Sequence, residues 1–263
     1  MDKRQVIYYS DELNDEFSVA KITPKVIDES WVYCHDSLWK RFTHVFWYRV
    51  VATPIAKFYT KWSFRHKTVG KEKLKPFKKQ GFFLYGNHTQ DIADAVLPSL
   101  ITFPRTVYTI VHPNNVSMPY LGRITPSLGA LPLPDDRAAY RHFLEAVERR
   151  VKENHVIMIY PEAHIWPYYT KIRPFADGSF LYPIKYGTPA FCFTNTYQKR
   201  RFSKKPKIVT YVDGPFFPDD TLSQREQKRD LRDRVHAAMT ARAALSDCET
   251  IRYIKKDKEE TDG

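Results

Sequence analysis

Cysteine is scarce in this sequence. Cys34, Cys192 and Cys248 are the only three in 263 residues. None sits in a CxxC pair or beside histidines at ligand spacing. That excludes a disulfide framework and a cysteine-based metal site, and points to free thiols in a reducing compartment. Long apolar runs are missing too. The longest stretch free of Asp, Glu, Lys and Arg is 106–122, and His112, Pro113, Asn114 and Asn115 interrupt it. A membrane-spanning helix needs about 20 mostly apolar residues, so none is expected. The opening Met-Asp-Lys-Arg-Gln has no apolar run behind it, so no secretory leader is expected either. Acidic residues are outnumbered by basic ones, 30 to 42, for a formal net charge of +12. Such an excess implies an anionic partner: nucleic acid, an anionic membrane surface or a phosphorylated substrate.

What is present begins with aromatic residues, 15% of the chain. Residues 1–29 form a polar lead in which Val6-Ile7-Tyr8-Tyr9 is a candidate strand. Residues 30–66 place Trp39, Phe42, Phe46 and Val50 at helical spacing, with Lys40, Arg41 and His44 on another side. Pro54 interrupts, and the pattern resumes through Ile55–Trp62. Trp, Tyr and Phe mixed with Lys and Arg suit a helix lying in a membrane interface, and they equally suit amphipathic helices packed on the protein's own core. Arg65, Lys67, Lys71, Lys73, Lys75, Lys78 and Lys79 follow, against Glu72 alone; basic residues next to an interfacial helix attract anionic lipid. Past residue 80 strands and helices alternate, within an expected domain spanning 67–254. Candidate strands are 82–86, 107–111, 156–160, 190–194 and 207–212. The clearest helices are Asp136–Asn154 and one opening near Thr221 with the capping-box pattern Ser223-Gln224-Arg225-Glu226. Residues 255–263 read as a charged tail. The expected fold is α/β: a mostly parallel central sheet flanked by helices, preceded by aromatic amphipathic helices.

In such sheets active sites gather at the carboxyl ends of the strands. Two motifs fall there. Asn87-His88-Thr89-Gln90-Asp91-Ile92-Ala93-Asp94 follows the strand 82–86, and Tyr160-Pro161-Glu162-Ala163-His164-Ile165 follows the strand 156–160. A carboxylate beside an imidazole fixes its tautomer and raises its basicity, which suits a general base acting on a hydroxyl. The plainer alternative makes His88 a loop residue and Asp91 and Asp94 ordinary first-turn acids. If the helix starts near Asp91, that residue suits the cap and Asp94 is the expected partner of His88. Backbone donors at the same helix start are candidates for an oxyanion site. Arg137 stands at another helix start, where a phosphate can bind; an ion pair with Asp135 or Asp136 is the alternative. Glu162 equally suits a buried brace for the loop amides.

The succession Asn87-His88…Asp94, Gly129…Asp136-Arg137, Pro161-Glu162 and Gly187-Thr188-Pro189 before an apolar strand resembles the lysophosphatidate (1-acylglycerol-3-phosphate) acyltransferase family of glycerolipid acyltransferases. It spans roughly residues 81–215, and Arg173-Pro174-Phe175-Ala176-Asp177-Gly178-Ser179-Phe180 resembles a further stretch of that family. The family has four residues between His and Asp, and this chain has five. The family continues its Pro-Glu block as Gly-Thr-Arg, where this chain has Ala163-His164-Ile165. The resemblance implies that His88 is the base and Asp94 its partner, and that Arg137 and Glu162 serve the acceptor. Arg173, with Lys171, is a candidate to replace the missing Arg. It implies transfer of a fatty acyl group from a thioester to a lysophospholipid hydroxyl, with 1-acylglycerol-3-phosphate the expected acceptor. No metal or bound cofactor is expected, acyl-CoA or acyl carrier protein being a co-substrate. The alternatives are another lysolipid acceptor or a catalytically silent lipid-binding module. The expected partners are an anionic membrane surface, the lysophospholipid and the acyl thioester donor. No nucleic acid is expected, since no motif for one is visible. The expected location is cytoplasmic, peripheral on the inner face of the cell membrane.

Overall fold

The computed structural model describes residues 4–17, 22–34 and 37–256. Its centre is the strand β3 (Phe82–Gly86), buried along its whole length. A continuous apolar run is what a strand covered on both faces requires. Successive side chains point to opposite faces. Phe83 and Tyr85 therefore join one core with Phe143, Val147, Leu231 and Val235, while Phe82 and Leu84 join the other with Phe64, Ala93, Leu97 and Ile101.

Around β3 lie β2 (Lys67–Val69), β4 (Val107–Val111), β5 (Ala130–Pro132), β6 (Val156–Ile159), β7 (Ala190–Arg200) and β8 (Ser203–Phe216), in the order β2-β8-β7-β3-β6-β4-β5. Every neighbouring pair is parallel except β7 and β8. The strands expected at 190–194 and 207–212 are the inner halves of a much longer hairpin. Its outer halves are polar and basic, so they lack the alternation that marks a half-buried strand. The three-residue strands β2 and β5 were too short to leave a periodic signal.

Helix α3 (Asp91–Thr102) and helix α2 (Thr53–Phe64) cover the face of Phe82. Helices α5 (Arg137–Lys152), α6 (Leu181–Tyr186) and α7 (Gln224–Ala243) cover the face of Phe83; α4 is one turn, Asn114–Ser117. The caps explain two of the helix starts. Asp136 accepts from the Ala139 N–H at 2.7 Å, and Ser223 and Glu226 form the full capping box.

Helix α1 (Leu38–Val45) runs into α2 through a π-helical stretch, Phe46–Ala52. Pro54 stands two residues beyond it, in the first turn of α2. It has no N–H to donate and its ring crowds the carbonyl a turn earlier, and widening to a π-turn lets the helix pass it. Tyr48, Ala56, Thr60 and Phe64 face inward. The aromatic stripe faces out: Trp39 is 68% exposed, Phe42 59%, Phe58 64% and Trp62 70%. Packing of that stripe on the chain's own core, one of the two readings open from the sequence, is not what the fold does. No described helix is long and apolar enough to cross a membrane.

Beyond the main sheet, β1 (Gln5–Tyr9) pairs in parallel with β9 (Ile251–Lys255). The polar lead is thus partly a strand, and the expected tail starts inside one. Lys255 ends β9, the Lys256 N–H donates to Tyr9 O at 2.8 Å, and 257–263 lie outside the described residues. The basic stretch 65–79 is not wholly free either. Lys71 donates to Leu100 O, and Lys73 to Val212 O and Asp213.

Candidate active site

Strand β3 ends in Gly86, where an added Cβ would lie 2.4 Å from the Phe193 ring. The absence of a side chain here leaves room for that ring and for the Met158 methyl group. The next residue, Asn87, continues the strand pairing with its side chain. Its Nδ2 donates to Asn195 O at 3.0 Å, and its Oδ1 accepts from Asn195 N at 2.8 Å. The chain then turns into α3, and His88 sits in the turn.

The His88 Nδ1 lies 3.0 Å from Asp94 Oδ2. An ionised carboxylate only accepts, so Nδ1 carries the hydrogen and Nε2 is left as the basic atom. The His88 side chain is 18% exposed and that of Asp94 1%. The imidazole stacks on Tyr160, 4.2 Å between centroids and 17° between planes. The Tyr160 hydroxyl donates back to the Asp94 carbonyl at 2.6 Å, which fixes the platform to the helix carrying Asp94. Burial pushes the Tyr160 phenol well above its ordinary value, so it stays protonated.

Asp94 holds more than the histidine. Its Oδ2 also accepts from the N–H groups of Thr89 at 2.7 Å and Gln90 at 2.9 Å. Its Oδ1 accepts from Asn195 Nδ2 at 3.0 Å. Asp94 therefore satisfies the loop amides at the start of α3, the task expected of Asp91. The side chain of Asp91 is exposed and makes no hydrogen bond among the described residues. The extra residue between His88 and Asp94 does not separate them, because Asp94 sits at the fourth helical position and leans back over the first turn. The amides of Thr89 and Gln90, spent on Asp94, and that of His88, spent on Glu162, are closed to an oxyanion. The remaining first-turn donors of α3 are those of Asp91, Ile92 and Ala93.

Glu162 is the second buried carboxylate, 3% exposed. Its Oε2 accepts from the His88 N–H at 3.0 Å and its Oε1 from the Arg173 N–H at 3.0 Å. Burial pushes this carboxyl up, against the pull of Arg173 and the two amides. It braces the loop between Pro161 and Arg173 against the turn of His88. Two further bonds hold the same seam: Trp166 N to His88 O at 3.1 Å and Tyr168 N to Thr89 O at 3.0 Å.

Arg173 is not placed to grip a substrate phosphate. It is 1% exposed. Its guanidinium donates to the carbonyls of Glu12, Glu162 and His164 and lies 4.8 Å over the Trp166 ring. The chain needs its charge to tie the N-terminal segment and the Pro-Glu loop together, so the expectation of an acceptor-binding Arg173 is corrected. Trp166, fully buried, packs against Tyr9, Phe17, Tyr169 and Tyr253, and its Nε1 donates to Asp15 O. Arg137 is the reverse case. It is exposed in the first turn of α5, and Asp135 and Asp136 spend their carboxylates on the N–H groups of Ile27 and Ala139. No ion pair of Arg137 exists among the described residues.

Sequence reasoning missed Asn195 and Tyr160 as parts of the site. Asn195 connects Asp94 to a longer chain: its Oδ1 accepts from Thr210 Oγ1 at 2.6 Å, and Thr210 Oγ1 lies 2.9 Å from His66 Nε2. Since Thr210 gives its hydrogen to Asn195, His66 must donate through Nε2. Among the described residues no group of His, Cys, Asp and Glu has the placement of a metal site.

A half-buried histidine paired with a buried carboxylate at the carboxyl edge of a mostly parallel sheet is equipped for proton abstraction from a hydroxyl. Residues 65–193, just under half of the chain, match the family described as Acyltransferase. In fold the chain is similar to the 1-acyl-sn-glycerophosphate (LPA) acyltransferase PlsC from Thermotoga maritima. The two share 18% identity over 80% of this chain and 89% of that one, with a TM-score of 0.53. No curated protein matches the sequence. The resemblance to the lysophosphatidate acyltransferase family thus holds in sequence motif and in fold.

Proposed function

We propose that the chain transfers a fatty acyl group from an acyl thioester to the free hydroxyl of a lysophospholipid, with 1-acylglycerol-3-phosphate as acceptor and phosphatidate as product. The observation that carries this reading is the His88–Asp94 pair inside the stretch that matches the Acyltransferase family. His88 Nε2 accepts the hydroxyl proton as the acceptor oxygen attacks the thioester carbonyl. Asp94 stabilises the imidazolium that forms. The tetrahedral intermediate collapses with loss of the thiolate, which takes the proton from His88. No acyl-enzyme is needed, and the donor, acyl-CoA or acyl carrier protein, is a co-substrate. The intact dyad argues against a catalytically silent lipid-binding module.

The reaction would run at a membrane surface. The outward aromatic stripe of α1 and α2 supports this, and the positive charge favours an anionic one, such as the inner face of the cell membrane. An apolar cavity of about 160 Å³ between these helices and α3, lined by Ala52, Ala56, Ala95 and Val96 among others, offers room for part of an acyl chain. Two of its lining residues, Ala95 and Val96, directly follow Asp94 in sequence.

We assign the acceptor phosphate to Arg137, which is exposed at the start of α5 and makes no ion pair among the described residues. A second reading, transfer to another lysolipid, is favoured by one observation: Ile165 stands where the family has Arg, and Arg173 is buried, so Arg137 is without the expected helper. An assay offering several lysolipids with acyl-CoA and with acyl carrier protein decides. Lysophosphatidate should be preferred, and Arg137→Ala should raise its KM at least tenfold, the order of one charge-assisted pair, with the KM of the donor unchanged. Equal use of an uncharged lysolipid by both proteins would favour the second reading.

A further inference from the structure

The β7–β8 hairpin reaches well past the sheet, and its end is built differently from its stem. Residues 199–207 carry six Lys or Arg side chains and no acidic one. Lys199, Arg201, Lys204 and Lys205 are exposed and make no ion pair among the described residues. Asp247 accepts from the Lys199 backbone N–H at 2.7 Å rather than from its ammonium. Between the cations, at the turn itself, Phe202 is 89% exposed, with the Arg201 guanidinium 5.1 Å from its ring centroid. A large aromatic held in water inside an unneutralised basic cluster has no folding role that the contacts explain.

The placement supplies one. Arg200 Nη1 donates to Ser63 O at 3.0 Å, tying the hairpin to the last turn of α2. Further down the stem β2 pairs with β8, and His66 meets Thr210. The hairpin end therefore lies beside the end of the outward aromatic stripe, where Trp62, Lys61 and Arg65 are exposed.

We propose that the β7–β8 tip is a second membrane contact, selective for anionic lipid: Arg201, Lys204 and Lys205 meet headgroup phosphates while Phe202 enters the interface. This rests on the reading of the chain as an interfacial enzyme and adds a separate element to it. Basic residues with an aromatic among them also occur where single-stranded nucleic acid binds. Continuity with the outward aromatic stripe of α1 and α2 favours lipid, because a nucleic acid would leave those large apolar side chains in water. Each cation near an anionic membrane contributes roughly fivefold in affinity.

The test uses the full chain and two vesicle types, neutral phosphatidylcholine and phosphatidylcholine mixed with phosphatidylglycerol. Replacing Arg201, Lys204 and Lys205 together by Gln should weaken binding to the mixed vesicles on the order of 10²-fold. Binding to neutral vesicles and acyl transfer to detergent-dispersed lysolipid should remain at wild-type level. Phe202→Ser should weaken binding to both vesicle types. Wild-type binding of the triple variant to mixed vesicles, with transfer intact, overturns the hairpin contact alone. Loss of oligonucleotide binding without loss of vesicle binding overturns it in favour of nucleic acid. A protein that transfers no acyl group, yet loses its preference for anionic vesicles in the triple variant, overturns the enzymatic reading and leaves the hairpin contact standing.

Discussion

Four hydrogen bonds converge on the carboxylate of Asp94, from the His88 ring, two loop amides and Asn195. The same group thus caps the turn, orients the base and remains the negative charge beside it. His88, Asp94 and Glu162 were legible because each lies in a short motif whose neighbours in sequence are its neighbours in space. Asn195 was not: it is 101 residues from Asp94, and only the register of β3 against β7 brings it there. A hydrogen bond to a charged group is worth about 1.5–3 kcal/mol. Asn195→Ala should therefore cut kcat by about 10–10²-fold while KM for both substrates stays within about twofold, the pattern of a lost transition-state interaction. A change confined to KM would mean that Asn195 shapes binding instead. Ala163 makes a different point. Its φ is 61°, in the left-handed region, and the family has Gly at this position. The conformation costs Ala about 1–2 kcal/mol, and Gly gives back roughly 0.5–1 kcal/mol in chain entropy. Ala163→Gly should raise stability by about 0.5–1 kcal/mol in denaturant titration; a lower midpoint would show that the methyl group is packed and needed.

Among the elements, those with strong periodicity or a cap were readable: β3, α5 and α7 fall within a few residues of their expected bounds. In the N-terminal segment only the strand was readable, expected at Val6–Tyr9 and found at Gln5–Tyr9. The segment's role, packing Tyr9 and Phe17 on Trp166 and giving the Glu12 carbonyl to Arg173, exists only in three dimensions. His66, between α2 and β2, was also silent in the sequence. Burial pushes it from 6.5 to about 4, and His155 likewise falls to about 4. Between those values the unfolded chain binds protons that the folded chain does not, so stability rises with pH. It is fully present above about pH 6.5 and is lost as pH falls toward 4, by up to ~1.4 kcal/mol per pH unit for each histidine. Gln presents an amide donor near the place of Nε2. His66→Gln should keep the bond to Thr210 and flatten about half of the decline from pH 6.5 to 4, read as unfolding free energies across that range. An unchanged slope would mean that His66 titrates normally in the fold.

For the molecule as a whole, alternation of elements was enough to give a mostly parallel sheet between helices, because a sheet with two apolar faces has few other ways to be covered. Which side of α1 and α2 faces outward was beyond the sequence: an aromatic stripe has the same period whether it meets a core or a membrane. The fold turns it outward, next to a basic hairpin, while the dyad sits at the carboxyl edge of the same sheet. The central claim is that His88 takes the proton in acyl transfer, and the most direct measurement compares transfer by wild-type protein and His88→Ala under saturating acyl thioester and lysophosphatidate. The expected result is a loss of kcat of at least about 10²–10⁴-fold, with the unfolding midpoint nearly unchanged because the ring is partly exposed. Undiminished turnover by His88→Ala would contradict it.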